Sequence, residues 1–290
     1  MNIIFLGTGT STGVPEIGCQ CAVCQSSDPK DKRLRSSVLI ETEGKQILID
    51  CGPDFRQQML NKPFGKLDAV LITHEHYDHV GGIDDLRPYS KFGDVQLYAE
   101  QDVCNAIQIR LPYCFTAQKY PGVPNLQLNT ITLDSFSVEG VDIQPIRITH
   151  GKLPILGFRI GNMGYLTDVS TIPESEYEKL ANLDVLVIDA LRDKPHPSHE
   201  TVAEALQQIE RIQPKQAYLM HMSHHFGLHA QRQAAHQRSH PPGGSLPSPK
   251  PHSIPLPLPP PKHLLSHPYA GTATIPDCLS DDPPHASSGN

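Results

Sequence analysis

Over roughly the first 229 residues, short apolar runs alternate with amphipathic stretches. NIIFL, SVLIE, KQILID, DAVLIT, VQLYAE, VDIQPIRI, LGFRI, DVLVIDA and QAYLMHM are rich in β-branched residues and predict strands. Helical spacing occurs at about 54–61, 100–110, 174–181 and 200–211. In the third of these, Pro173 suits the first helical position. In the last, HETVAEALQQIERI places Val202, Ala205, Leu206 and Ile209 on one face. The pattern predicts a mixed α/β domain of sheet and helix layers, without internal repeats. The opening MNIIFLGTGTSTG lacks a basic n-region and reads as a buried first strand, not a secretory signal.

The pattern stops near residue 232. Of the 28 prolines, 14 lie in residues 241–290, and SIPLPLPPPKHLL can neither continue a helix nor enter a central strand. The chain therefore divides into a folded domain, 1–232, and a Pro/His/Ser-rich low-complexity tail, 233–290, expected to be disordered. The six tail histidines read as solvated low complexity, because nothing there would hold them in ligand geometry.

A net charge of -7 argues against a protein that lives on nucleic-acid backbone, and no nucleic-acid partner is expected. No run of about 18 apolar residues is present, so no membrane partner is expected. With no export signal, a cytoplasmic, reducing location is predicted, where clustered thiols indicate metal more than disulfide. Three of the seven cysteines, Cys19, Cys21 and Cys24, fall within GCQCAVC.

The run LITHEHYDHVGG follows a strand and supplies His74, His76, Asp78 and His79 within six residues. Burying them unpaired would cost several kcal/mol. Alternation sets His74 and His76 on one side of an extended loop, with Asp78 and His79 on the other, an arrangement suited to two metal ions. Later strand ends add His150 (PIRITH), Asp168 (MGYLTD) and His221 (QAYLMH). His74, His76 and His150 then make one site, and Asp78, His79 and His221 the other. Asp168 can bridge them.

This ordered set resembles the metallo-β-lactamase superfamily over residues 1 to about 229. The resemblance implies an αβ/βα four-layer sandwich. The flavodiiron branch carries a glutamate where this chain has His76, which disfavours that branch. The run HMSH places His224 three residues after His221, where it can face the cysteine loop and close a Cys₃His structural zinc site with Cys19, Cys21 and Cys24. Such a site would order the long loop 8–35. An early GCxCxxC with a late HxSH is similar to the PhnP-type branch of the superfamily, a phosphodiesterase acting on a cyclic phosphate. The coenzyme PQQ synthesis protein B group shares the cysteine pattern. The family's domain normally closes with a further strand and a DG-type turn. Here the chain passes through GLHAQRQAAHQRSHPPGG into the tail instead.

PhnP-type enzymes and tRNA 3′-processing endonucleases carry a histidine before a helix, in a pattern resembling His199-Glu200-Thr201, and the resemblance assigns His199 the role of general acid. An imidazole with a pKa near ~6.5 can hold a proton at working pH. The implied cofactors are two divalent cations, manganese or zinc, beside one structural zinc, and the resemblance allows a homodimer. The implied chemistry is attack of a metal-bridged hydroxide on a small cyclic phosphate ester such as 5-phosphoribosyl 1,2-cyclic phosphate, with Asp78 in the catalytic set and His199 protonating the leaving oxygen. Three other readings compete. A tRNA-type endonuclease would need a basic arm, which is not visible. A lactone or thioester hydrolase could use the same metals. A purely structural metalloprotein has no need of an open dinuclear centre.

Weaker candidates stay outside the catalytic set. GTGTSTG has Thr12 where a GxGxxG loop needs its third glycine, and reads as a tight turn under the metal site. Arg35, Arg87 and Lys152 could meet phosphate or form structural ion pairs. Asp84 and Asp85 read as a solvated helix face.

Overall fold

A computed structural model describes residues 1–232; the predicted tail lies outside the described residues. The first half of the described chain contains β1 (Asn2–Gly7), α1 (Ala22–Gln25), β2 (Ser37–Thr42), β3 (Lys45–Ile49), α2 (Phe55–Met59), β4 (Ala69–Leu71), α3 (Tyr77–Val80), β5 (Val95–Ala99), α4 (Gln101–Arg110) and β6 (Leu126–Thr130). The second half contains β7 (Phe136–Val138), β8 (Val141–His150), β9 (Leu153–Ile160), β10 (Met163–Leu166), β11 (Val185–Asp189), α5 (Val202–Ile212) and β12 (Gln216–Met220).

The strands form two six-stranded sheets, in the orders β1-β2-β3-β4-β5-β6 and β12-β11-β10-β9-β8-β7. β1 to β3 pair antiparallel and β3 to β6 parallel. In the second sheet β7 to β10 pair antiparallel and β10 to β12 parallel. The short runs LQLNT and FSV, not anticipated from the sequence, are β6 and β7, the last strands of their sheets.

The strand runs are continuously apolar because both faces of each sheet are covered. Val38, Ile40, Ile47, Ile49, Ala69 and Leu71 turn inward to meet Ile143, Phe158, Ile160, Tyr165 and Met220 of the second sheet. Their neighbours Leu39, Leu48 and Val70 face outward, onto Phe55, Ile83, Leu86, Val103 and Ile107 of the helical layer. On the other side Leu186, Ile188 and Leu219 meet Leu180, Ala205 and Ile209. This is an αβ/βα four-layer sandwich of the metallo-β-lactamase type.

Three expectations need correction. Residues Glu174–Leu180 form a 3-10 helix with Pro173 as its N-cap, one position before the predicted one. Leu206 is 40% exposed, so the buried stripe of α5 narrows to Ala205 and Ile209. Asp84 is no free solvated acid: Arg87 binds both its oxygens and the Tyr113 hydroxyl donates to it at 2.8 Å.

Candidate metal centre

The centre lies where strands of both sheets end. Past β4 the chain runs extended to His76, whose backbone (φ -61, ψ 147) caps α3, and α3 carries Asp78 and His79. A close backbone approach fixes α3: a Cβ on Gly52 would sit 2.0 Å from the Asp78 carbonyl oxygen, so only glycine fits there. His150 is the last residue of β8. Asp50, Asp168 and His221 each follow a strand with positive φ, 61°, 57° and 55°. Asp and His tolerate this left-handed conformation better than most residues, and such strain gathers at functional sites.

The structure brings the seven predicted ligands together. Donor atoms of His74, His76 and His150 lie within 4.8 Å of one another, as do those of Asp78, His79, Asp168 and His221. His79 Nε2 is 3.1 Å from Asp78 and 3.2 Å from Asp168. His221 Nε2 is 3.2 Å from Asp168 and 3.5 Å from Asp78. Asp168 also groups with His150 and His199, which places it between the two triads.

Charge is distributed unevenly. Burial pushes His74, His76 and His150 down, so these imidazoles are neutral. Burial works against protonated His221 as well, but Asp168, Asp78 and Asp189 outweigh it and push His221 up to about 9. His79 is raised for the same reason, with Asp168, Asp50 and Asp78 around it. Burial opposes ionisation of Asp78, yet His79 and His221 hold it well below the usual carboxylate range. A pocket that keeps two imidazoles protonated among carboxylates attracts positive charge, and divalent cations would displace those protons. Among the described residues, the buried Nε2 of His74 has no hydrogen-bond partner, as expected of a ligand atom reserved for a metal. The residues fit two cations.

A ring of supporting groups, invisible in the sequence, orients these donors. His79 Nδ1 lies 2.7 Å from Asp50, and Asp50 accepts from the Thr73 amide and hydroxyl at 2.9 and 3.0 Å. Thr73 Oγ1 is 2.9 Å from His74 Nδ1. His150 Nδ1 donates to the Ser198 carbonyl at 2.8 Å. Each contact occupies Nδ1 and leaves Nε2 for the centre. Asp50 and Asp189 resemble ordinary strand ends, ILID and VLVID, and only the fold reveals their work.

His199 borders the centre. Its ring stacks on His221 at 4.7 Å and lies 4.5 Å from His150. Its Nε2 is 3.9 Å from Asp168, and its Nδ1 faces buried Asp189 at 3.3 Å. Helix α5 starts later than expected: Thr201 is its N-cap, in a capping box with Glu204. Burial, then the charge of His221, pushes His199 down to about 4, contrary to the expectation of an ordinary imidazole. In the free protein at neutral pH this ring is therefore unprotonated.

Some 205 residues apart in sequence, Cys19 Sγ and His224 Nδ1 are 3.1 Å apart, and Cys21 Sγ is 3.4 Å from the same nitrogen. Ideal tetrahedral zinc with these ligands separates S and N by about 3.5 Å. Cys24 completes the group within 4.8 Å. Glu16 fixes the tautomer through His224 Nε2 at 2.9 Å. Hydrogen bonding, first from the Cys24 amide, lowers Cys21 to about 6, whereas burial raises Cys24 to about 11. A thiolate is thus available at neutral pH to take a metal.

The other candidates take structural places. Arg35 pairs with Asp54 at 2.8 Å and Arg87 with Asp84. Lys152 is exposed. The GTGTSTG segment passes close to the end of β12: Thr10 N donates to the Met222 carbonyl at 3.2 Å, and a Cβ on Gly9 would meet the Arg33 carbonyl at 2.7 Å.

A sequence model of the beta-lactamase superfamily domain matches residues 45–222, and the chain belongs to the metallo-β-lactamase superfamily. Its fold is that of the superfamily, and its His and Asp side chains are grouped as ligands for metal ions would be. A Porphyromonas gingivalis protein named octanoyltransferase is 51% identical over 232 residues, 79% of this chain; the chain spans about half (47%) of that relative's length. A crystal structure described as a new diphosphatase from the PhnP family superposes with TM-score 0.76 at 36% identity, covering 88% of this chain and 94% of that one. Human tRNase Z, short form, shares the fold at TM-score 0.59 and 22% identity, covering 77% and 93%.

Proposed function

We propose that the chain is a PhnP-type phosphodiesterase that hydrolyses a small cyclic phosphate ester, with 5-phosphoribosyl 1,2-cyclic phosphate as the type of substrate. The observation that carries this reading is the juxtaposition of His199, oriented by Asp189 at 3.3 Å, with the seven-ligand cluster. The PhnP-family likeness supports chemistry at phosphorus and brings diphosphate linkages into the substrate panel.

His74, His76 and His150 would hold one cation, Asp78, His79 and His221 the other, with Asp168 between them; the pair would supply an activated water and neutralise phosphoryl charge. Asp50, Thr73 and the Ser198 carbonyl keep the imidazoles oriented. His199 gives a proton to the leaving oxygen, and Asp189 holds the ring. Because His199 is neutral when free, it gains its proton only as an anionic substrate arrives beside it. The Cys₃His cluster would hold a structural zinc.

Phosphorus NMR on manganese-loaded and metal-stripped protein tests the reading. The panel is 5-phosphoribosyl 1,2-cyclic phosphate, a 2′,3′-cyclic nucleotide, a simple diester and a diphosphate diester. Metal-dependent opening of the ribosyl cyclic phosphate above the rest supports it; no turnover of any phosphorus ester removes it. A second reading, hydrolysis of an acyl ester or thioester on the same centre, draws on the octanoyltransferase name of the 51% identical relative. An octanoyl thioester in the panel tests it.

A further inference from the structure

A pocket of about 450 Å³ opens on the helical side of the first sheet, between α2, the segment 62–64 and the 3-10 helix Ile83–Phe92. Its volume lies in the range of about 300–1,000 Å³ typical of small-molecule sites. No candidate metal ligand lines it. Aromatic rings dominate its walls. Phe55 and Tyr89 are buried, with ring centroids 5.9 Å apart. Phe64 meets Tyr89 edge-on at 5.0 Å and stays 49% exposed. Met59 adds a side chain that adapts to the shape of a ligand.

In a chain of net charge -7 the lining carries more cations than acids: Arg56, Lys62 and Arg87 against Asp84 and Asp85. Both oxygens of Asp84 are taken by Arg87, and the Tyr113 hydroxyl donates to one of them at 2.8 Å. Lys91 adds a further cation beside the pocket, its ammonium 4.2 Å from the Phe64 ring centroid. Among the described residues, Arg56, Lys62 and Lys91 form no ion pair. Three uncommitted cations thus stand against one exposed acid, Asp85. An anion complements this rim, and a flat apolar body complements the ring-lined interior.

We propose that this pocket is a binding site for an aromatic organic anion, a planar ring system carrying one carboxylate or sulfonate. The rings enter among Phe55, Phe64 and Tyr89, where offset and edge-to-face contacts are favourable. The acid group stays at the rim. There Arg56 offers a planar fork and Lys62 a mobile point charge. A small inorganic anion would leave the aromatic walls unused, and a cationic ring system would meet the wrong sign of charge. The site does not depend on the phosphodiesterase reading.

Fluorescence titration of the metal-loaded full chain tests this, and the absence of tryptophan removes energy transfer from that residue to the probe. The probe is 1-anilinonaphthalene-8-sulfonate. Its control is N-phenyl-1-naphthylamine, the same rings without the sulfonate. The sulfonate should bind at one per chain and at least about tenfold more tightly than the neutral amine. Lys62→Glu should weaken sulfonate binding by about tenfold and leave the amine unchanged, and Lys62→Arg should keep both at the wild-type level. Phe64→Ala, a change at a half-exposed ring, should weaken both probes. Equal affinity for the two probes, or wild-type binding of the sulfonate by both Lys62→Glu and Phe64→Ala, overturns the site. So does a dimer in sedimentation velocity that Phe64→Ala dissociates, because the pocket would then be the seat of a second copy of the chain.

Discussion

Asp189 lies with one carboxylate oxygen 3.3 Å from His199 Nδ1 and the other 3.6 Å from His221 Nδ1. This buried acid is hydrogen-bonded to the proposed proton donor, while its second oxygen stands beside a proposed metal ligand without a hydrogen bond. Asp189→Asn keeps the shape and replaces one acceptor oxygen with a donor. It should lower kcat by about 10–100-fold, the usual loss when such an orienting partner is removed. Steady-state kinetics with metal analysis checks it; a variant as fast as the wild type refutes the alignment.

His199→Ala should retain its metal and lose about 10²–10⁴-fold in rate on an ester with an alkoxide leaving group. A p-nitrophenyl ester, whose leaving group needs no proton, should be affected far less. Equal losses on both would remove His199 from proton transfer.

The pH dependence follows from His199 sitting near 4 in the free protein. Its protonated fraction shrinks as pH rises above that value. The ratio of kcat/KM for the alkoxide ester to that for the activated ester should therefore fall as pH increases from 5 to 8. A ratio that rises across this range contradicts the assignment.

Metal-stripped protein should lose stability in alkaline solution. His221 is raised to about 9 from an ordinary 6.5. Protonation of His221 contributes its full stabilisation below pH 6.5, and that contribution is lost as pH climbs through about 9. The Tm of the stripped protein should fall by at least about 4 °C between pH 6.5 and 9.5. Metal-loaded protein, with cations in place of those protons, should stay nearly flat.

Gly52→Ala would force a methyl against the Asp78 carbonyl, 2.0 Å from where a Cβ must stand. Displacing α3 should weaken metal binding and stability together, by about 1–3 kcal/mol or more. Equilibrium dialysis against a zinc buffer and thermal melts measure both; an unaffected variant would mean that the helix can shift freely.

The parts of this molecule differ in how far the sequence disclosed them. His74, His76, Asp78 and His79 stand in one run whose spacing is itself the signal, and His150, Asp168 and His221 each close an apolar strand. Asp50 and Asp189 were silent because a carboxylate after ILI or VLVI looks like any strand ending in solvent; it takes the pairing of β3 with β4, and of β11 with β12, to enclose them. The strands β6 and β7 escaped notice because an edge strand with one covered face carries few apolar residues. The low basicity of His199 depends on its burial beside His221, a neighbour 22 positions away.

Finally, His221 and His224 leave the end of β12 on a single turn, one aimed at the His/Asp cluster and the other at the cysteines. The two candidate metal sites are therefore joined by two residues, Met222 and Ser223. That turn is buried and held by hydrogen bonds from the Met222 amide to Thr8 and from the Ser223 amide to Leu191, so a shift at one site is carried to the other. Loading should then be cooperative: a zinc titration would be sigmoidal, partly filled chains would be scarce, and the protein would pass between empty and complete over a narrow span of free zinc.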